Sequence, residues 1–433
     1  MEMKNHKLLS LSFLILALSS LGFTSCGEDR TYELEALTKH NEWLLSQMRE
    51  HYLWGDTLTA EPAWKDYFAK PEEFFSRLCA KGRSDKWSYI EIDTLKVDRH
   101  PRGMFNHLKS YGFDFSILVD PSGATTKQYL RVLTVYAGSP AARAGLKRGD
   151  FILSFDGFKF SNNNIDKMQS GPSHKLTVAN LAVSDDSTTF SYIDQRELSI
   201  DKSEYVEDRP FPVVCTIDAY GTKVGYLMCS RLTPCNPEDS TNAIAYQDLM
   251  DQAIAQLRAE KATELVLDLR LCNFGTLEMA RRLASYIVHP SFRDHVFAKT
   301  FWNPRHADRN QTYTFQTDLP EGLNLRRVVI IQSSYTVGAA EWLIRGLQSA
   351  EFPTILVGGT TAGQNVLTHH MGYDYKINIY PAVAYVADVN DDYNYSSGIK
   401  PDVECDDQSA VYLYNYGDEN EIYLREAIRQ LHL

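Results

Sequence analysis

The chain lacks any surplus of positive charge. Its 56 Asp and Glu outnumber 44 Lys and Arg, for a net charge of −12. No basic block interrupts that balance, and both phosphate backbones and anionic lipid surfaces call for one. Nucleic acid is therefore not an expected partner, and a polybasic hold on membranes is excluded. Apolar runs of spanning length are missing as well. The longest, Leu8 to Phe23, has sixteen residues, short of the roughly 20 that a helix needs to cross a bilayer. Metal-ligand spacing is absent. There is no C-x-x-C pair and no Cys/His cluster, so no metal and no other cofactor is expected. Cysteine is scarce, with seven residues in 433, and no internal repeat or low-complexity segment occurs.

What is present begins with export. Lys4 and Lys7 precede the apolar run, and Thr24-Ser25-Cys26-Gly27 follows it. A positive start, an apolar middle and a small-residue exit make a signal peptide. The Cys after the small pair resembles the lipobox of bacterial lipoproteins, with Phe23 where that motif has Leu. The resemblance implies cleavage after residue 25 and a diacylglyceryl group on Cys26. The expected location is the cell envelope, with the body lipid-anchored and either periplasmic or exposed on the outer surface. The acidic Glu28-Asp29 after the anchor resembles signals for surface export. Six further Cys then remain, and an oxidising compartment permits disulfides. Sequence leaves all fifteen pairings open, and buried free thiols fit a chain of this size equally well.

A body of this length predicts two or three domains. Leu34, Leu37, Trp43, Leu44, Met48 and Tyr52 fall near helical spacing, and Pro62 and Pro71 punctuate the segment, so residues 26–105 read as a small helical module. Residues 106–208 carry short strand-like runs, at 113–119, 129–135, 151–155 and 189–193, around a helical piece at 140–145. This is a compact β-rich texture. From 209 to 433, strands and helices alternate. Strands are expected at 224–229, 265–269, 328–331 and 355–357. Tyr246, Leu249, Met250, Ala253, Ile254 and Leu257 share one helix face. Alternation of this kind implies an α/β layered core, with functional groups beyond the strand ends. The fold class is thus α+β and α/β, multidomain.

Two stretches of the middle module carry chemistry. One is Tyr111-Gly112-Phe113-Asp114-Phe115. The other runs from Ser139-Pro140-Ala141 through Ala144-Gly145-Leu146 and Gly149-Asp150 to Asp156-Gly157. The second resembles the PDZ modules of bacterial proteases, S-P-A-x-x-A-G-L-x-x-G-D-x-I-L-x-x-D-G. Such modules add an extended peptide to a sheet edge and often hold its terminal carboxylate on backbone N–H groups. The resemblance places that edge at Tyr111, Gly112, Phe113, Asp114 and Phe115. Most of the remaining Gly, Ala and Pro shape turns.

The core resembles the tail-specific, or C-terminal processing, serine peptidases. Leu265-Val266-Leu267-Asp268-Leu269-Arg270, Gly358-Gly359-Thr360-Thr361-Ala362-Gly363 and Gly398-Ile399-Lys400-Pro401-Asp402-Val403 carry the likeness. Leu53-Trp54 and Asp85-Lys86-Trp87-Ser88-Tyr89 resemble the N-terminal region of the branch common in Bacteroidetes-type bacteria, so the likeness spans nearly the whole body. The family uses a Ser nucleophile in T-A-S-A-S-E and a Lys base in T-x-G-K-x-V. A Ser hydroxyl needs a partner to take its proton, and a desolvated Lys supplies the neutral amine. The matching stretches here are Thr336-Val337-Gly338-Ala339-Ala340-Glu341 and Thr361-Ala362-Gly363-Gln364-Asn365-Val366. Gly338 therefore stands at the nucleophile and Gln364 at the base. Glycine offers no nucleophile, and a neutral amide is no base at ordinary pH. After Asp-Leu-Arg the family has N-G-G-G, which helps to hold the oxyanion. Here the chain reads Leu271-Cys272-Asn273-Phe274-Gly275, and only Gly275 keeps its place.

These readings imply a peptidase-family lipoprotein without Ser/Lys activity, a pseudopeptidase. Its expected partners are extended peptides or protein C-termini, an active protease that it scaffolds, and the membrane through the lipid. Two alternatives compete. One is a relocated serine-type site built from Ser333, Ser334 or Thr336 with His369, His370 and Asp374, or a thiol site at Cys272. Against it, the serines read as a strand end and helix cap, the His pair as an exposed strand or turn, and Cys272 as a small buried hydrophobe. The other alternative is a structural envelope protein with no peptide ligand.

Overall fold

The computed structural model describes residues 31–432, apart from 80–84, 93–108, 120–127, 162, 184–189, 237–241, 375, 408–409 and 411. Cys26 and the signal segment lie outside the described residues. The chain divides into two compact units, 1–93 with 370–380, and 94–369 with 381–433.

The first unit is the small helical module. Helix Thr31–His51 packs on helix Pro71–Leu78, which Pro71 opens at a position where its missing N–H costs nothing. Leu44, Leu45, Met48, Tyr52, Phe74 and Phe75 are buried. Asn41 is also buried, and its Nδ2 donates to the carbonyls of Tyr67 and Ala69, both at 2.9 Å. Asp85 accepts the Tyr52 hydroxyl at 2.7 Å and the N–H groups of Trp87 and Ser88. Strands Tyr89–Ile92, Ile377–Tyr380 and Met371–Tyr373 form its antiparallel sheet.

The second unit holds the β-rich module and the α/β core. In the former, Phe113–Val119, Gln128–Val135, Phe151–Phe155, His174–Val183 and Phe190–Ile200 pair in chain order as an antiparallel meander. Leu130, Val132, Ile152, Leu176 and Val178 fill its core with Tyr111 and Phe113. Sequence reading missed the strand at His174–Val183. Its Lys, Thr and Asn alternate with buried Leu176 and Val178, a half-buried pattern that a short window reads as loop.

The core sheet has six strands. Across it lie Val213–Ala219, Thr222–Met228, Glu264–Asp268, Val328–Gln332, Thr354–Gly358 and Val403–Glu404. The first pair is antiparallel and the remainder parallel. Both faces are covered, which explains the unbroken apolar runs. Leu265, Leu267, Val328 and Ile330 face helices Ala245–Ala259, Leu277–Ile287 and Ala339–Ser349. Val266, Val329 and Ile331 face helix Ile422–Leu431 on the other side. A smaller antiparallel sheet, Gln311–Thr314, Val296–Trp302, Ala382–Ala387 and Val366–Thr368, adjoins the strand ends.

The segment before the last helix crosses from the core onto the β-rich module. Arg148 is almost wholly buried there. It donates to the carbonyls of Tyr414 (2.9 Å) and Leu133 (2.6 Å), to the Tyr416 hydroxyl (2.9 Å) and to Asp407 (3.0 Å). Two guanidinium groups lie over the Tyr416 ring, Arg148 at 4.2 Å and Arg270 at 5.0 Å from its centre. Arg270 is in turn held by Asp268 and by Glu421, the latter at 2.7 Å.

Candidate functional site

Three segments meet at the carboxyl ends of adjacent parallel strands, where functional groups collect in open α/β sheets. They follow Asp268, Gln332 and Gly358. A tight turn over residues 333–336 joins the first two. Ser333 N–H donates to Thr336 Oγ1 at 2.9 Å, and Thr336 Oγ1 donates to the Leu269 carbonyl at 2.9 Å. Ser333 Oγ donates to the Arg270 carbonyl at 2.6 Å and accepts Tyr335 N–H at 3.0 Å. The next N–H, from Val337, reaches the Cys272 carbonyl at 3.0 Å.

Gly338 then opens helix Ala339–Ser349, at φ +58° and ψ −109°. A side chain is strained at that positive φ, so glycine sits there without cost. Glu341, one turn on, organises the surroundings. Its buried carboxylate accepts the N–H groups of Gly338 (2.9 Å), Gly363 (2.6 Å) and Gln364 (2.7 Å), and the hydroxyl of Thr361. Burial pushes the Glu341 pKa up, and these donors oppose that push. The carboxylate thus ties the start of the helix to the loop that carries Gln364. Trp342 adds a second tie, donating from Nε1 to the Gln364 carbonyl at 2.9 Å.

Gly338 and Gln364 are neighbours. A Cβ built on Gly338 would lie 2.9 Å from Gln364 Oε1. The amide's Nε2 is turned to the Val366 carbonyl at 3.2 Å. Both residues line a cleft of about 360 Å³. Its walls include Trp302, Tyr313, Trp342 and Phe274, and its polar groups include Asn273, Thr368 and Glu278. Gly275 also lines it, packed so closely that a Cβ would lie 2.6 Å from Leu232 Cβ and 2.7 Å from Ala339 Cβ. Close packing alone explains the glycine there.

Two of the alternative nucleophiles, Ser333 and Thr336, are engaged elsewhere. The Ser333 and Thr336 hydroxyls donate to backbone carbonyls, as given above. Neither Ser333 nor Ser334 caps the helix, contrary to expectation; the start of the helix is held by Glu341 through Gly338 N–H. His369 is exposed just past strand Val366–Thr368 and lines the cleft with Gly338 and Gln364, whereas the His370 ring pairs with Asn378 at 2.9 Å. Asp374 lies in the turn between strands Met371–Tyr373 and Ile377–Tyr380. Cys272 is fully buried in the main core and is not among the residues that line the cleft. It touches Cys229, whose thiol is driven well above its usual pKa by burial and then by Cys272.

In the β-rich module, Tyr111 and Phe113 are buried in the core. Gly112, at φ +77°, has Ser139 against it; a Cβ would fall 2.1 Å from Ser139 Cβ. Asp114 accepts the Tyr136 hydroxyl at 2.9 Å, and Phe115 packs at the edge of the core. Sequence reasoning missed the aromatic walls Trp302, Tyr313 and Trp342 and the Tyr416 stack. Scattered aromatics give no local signal of convergence.

Known proteins can now be set beside this geometry. The model of the Peptidase family S41 matches residues 223–405, that of the Peptidase S41 N-terminal domain 39–89, and that of the PDZ domain 131–163. The chain belongs to peptidase family S41. The S41 chain is 24% identical over 348 residues to a carboxyl-terminal-processing protease of Synechocystis, covering 78% of this chain and 69% of the relative. Its structure resembles that of an S41 protease from Bacteroides fragilis NCTC 9343. There the TM-score is 0.81 at 26% identity, with 90% of this chain and 97% of the other covered. The helical module, the PDZ domain and the S41 core expected from sequence are all present. Among the described residues, no helix is long and apolar enough to cross a membrane.

Proposed function

We propose that this S41 chain is a cell-envelope lipoprotein without Ser/Lys peptidase activity, retained to bind extended peptides or protein C-termini. One observation carries the reading. The positions that match the family's nucleophile and base are neighbours, so that a Cβ built on the first would lie 2.9 Å from Oε1 of the second, yet they hold Gly338 and Gln364. The scaffold around them is kept, through the Glu341 carboxylate and the Trp342 indole. A cleft with aromatic walls, in a chain that also carries a PDZ domain, suits capture of extended chain without cleavage. Residues 26–105, 106–208 and 209–433 serve as helical module, PDZ-like domain and S41 core. Lipid on Cys26 holds the body at the membrane, and an active protease is a candidate partner for the scaffold.

The purified protein should leave unfolded casein intact and stay unlabelled by a fluorophosphonate probe. Labelling lost on substitution of Ser333 or Ser334 would overturn the inactive reading and identify the nucleophile. Fatty-acid labelling in cells should vanish in Cys26→Ala. Protease shaving of whole cells separates a surface location from a periplasmic one.

A further inference from the structure

We infer that the PDZ domain receives the interior of an extended chain and not a free C-terminal carboxylate. The inference rests on the peptide-binding reading above and chooses between its two ligand classes. Carboxylate capture in a backbone nest needs convergent N–H groups that the protein has not already used. In the loop that matches such a nest, two are used. Tyr111 N–H donates to the Gln169 carbonyl at 3.3 Å, and Gly112 N–H to Ser110 Oγ at 3.1 Å. The Gly112 carbonyl is also taken, by Tyr136 N–H at 2.9 Å and Ser139 Oγ at 3.1 Å. The space that a glycine leaves for a ligand is filled by Ser139.

Charge argues the same way. Asp114 directly follows this loop and accepts the Tyr136 hydroxyl. Burial, with Asp114 and Asp208 adding to it, holds that phenol protonated. Asp156 acts on Tyr111 in the same sense. Of the nearby cations, Arg143 is tied to Glu204 at 2.8 Å and to the Gly138 carbonyl. Lys109 stands exposed in water, where a single charge attracts weakly. An arriving carboxylate would meet two spent donors and like charge. A neutral backbone meets neither obstacle. Among the described residues, strand Phe113–Val119 pairs on one side only, with Gln128–Val135. Ile117 and Val119 are 49% and 59% exposed along it. Main-chain pairing with apolar contacts at alternate positions is what such an edge offers.

The test is an array of short random peptides, each made as free acid and as C-terminal amide, probed with the purified protein and followed by fluorescence anisotropy on the best pairs. Acid and amide should bind within about twofold of each other, and residues added after the last position should be tolerated. A loss of tenfold or more on amidation would overturn the inference. Ser110→Ala frees the Gly112 N–H and should shift preference toward the acid by about three- to tenfold, since a hydrogen bond to a charged group is worth at least that. No shift would also overturn it, because the used amides would then not set the choice. If no peptide binds in any form, the peptide-binding reading itself fails, an outcome distinct from an acid-only result.

Discussion

Replacing Gly338 tests the geometry of the converged positions directly. The perturbation is Gly338→Ala, which adds a Cβ and nothing else. Two costs follow. The backbone there, at φ +58° and ψ −109°, lies outside the wells open to L-residues, a strain of about 1–3 kcal/mol. The new Cβ also lies 2.9 Å from Gln364 Oε1. That atom ends a flexible side chain and can swing away, but the swing breaks the amide's bond to the Val366 carbonyl, about 1 kcal/mol. The sum is roughly 2–4 kcal/mol, read as a lower urea midpoint at unchanged slope. Gly338→Ser should cost a similar amount. Pairing Gly338→Ala with Gln364→Ala removes the clash and should recover about 1 kcal/mol, leaving the backbone strain. A neutral Gly338→Ala would refute the reasoning, and so would full additivity of the pair, since residues in contact must couple. Gly338→Ser with Gln364→Lys extends the test to chemistry. Proteolysis gained by that pair would mean that the scaffold still holds a productive geometry.

Three further outcomes are expected. Glu341→Gln removes a carboxylate that accepts four donors and sets an amide N–H₂ among them, so stability should fall by roughly 2–4 kcal/mol in chemical denaturation. Burial raises the Tyr111 phenol to about 12 from its ordinary 10. The neutral form is favoured in the fold, so its contribution is full below pH 10 and is lost as pH climbs toward 12; Tyr111→Phe should show a smaller alkaline loss than the wild type across that window. Tyr416→Leu withdraws the ring that Arg148 and Arg270 lie over and the hydroxyl that Arg148 meets, and should lower the thermal midpoint by an amount equivalent to roughly 2–4 kcal/mol.

Much of the fold was legible because its signals are local. The run Leu265 to Leu267 is apolar on both faces, so it announces a strand covered on both sides, and Pro71 marks a helix start. The nearness of Gly338 to Gln364 was legible only through resemblance, since 25 residues and a strand separate them. The buried role of Glu341 follows the same rule. Its partners at 361, 363 and 364 come from another strand end, and no window of sequence contains both. Strand His174–Val183 was lost for the opposite reason. Its pattern is local, but polar, half-buried or exposed residues such as His174, Lys175, Thr177 and Asn180 interrupt the buried ones and mimic a loop.

The stack at Tyr416 bears on how the chain can be divided. The PDZ domain reads as a contiguous stretch, yet its Arg148 finds four of its partners, Asp407, Tyr414, Tyr416 and Glu421, more than 250 residues further on. Arg131 likewise donates to the Ala410 carbonyl at 2.9 Å. A fragment cut at the apparent domain boundary would strand two guanidinium groups that the whole chain keeps satisfied. The C-terminal segment is therefore part of the PDZ domain in every physical sense except sequence order. Synthesis must reach residue 421 before that surface can close, so the domain's final packing waits on chain made more than 250 residues after Arg148.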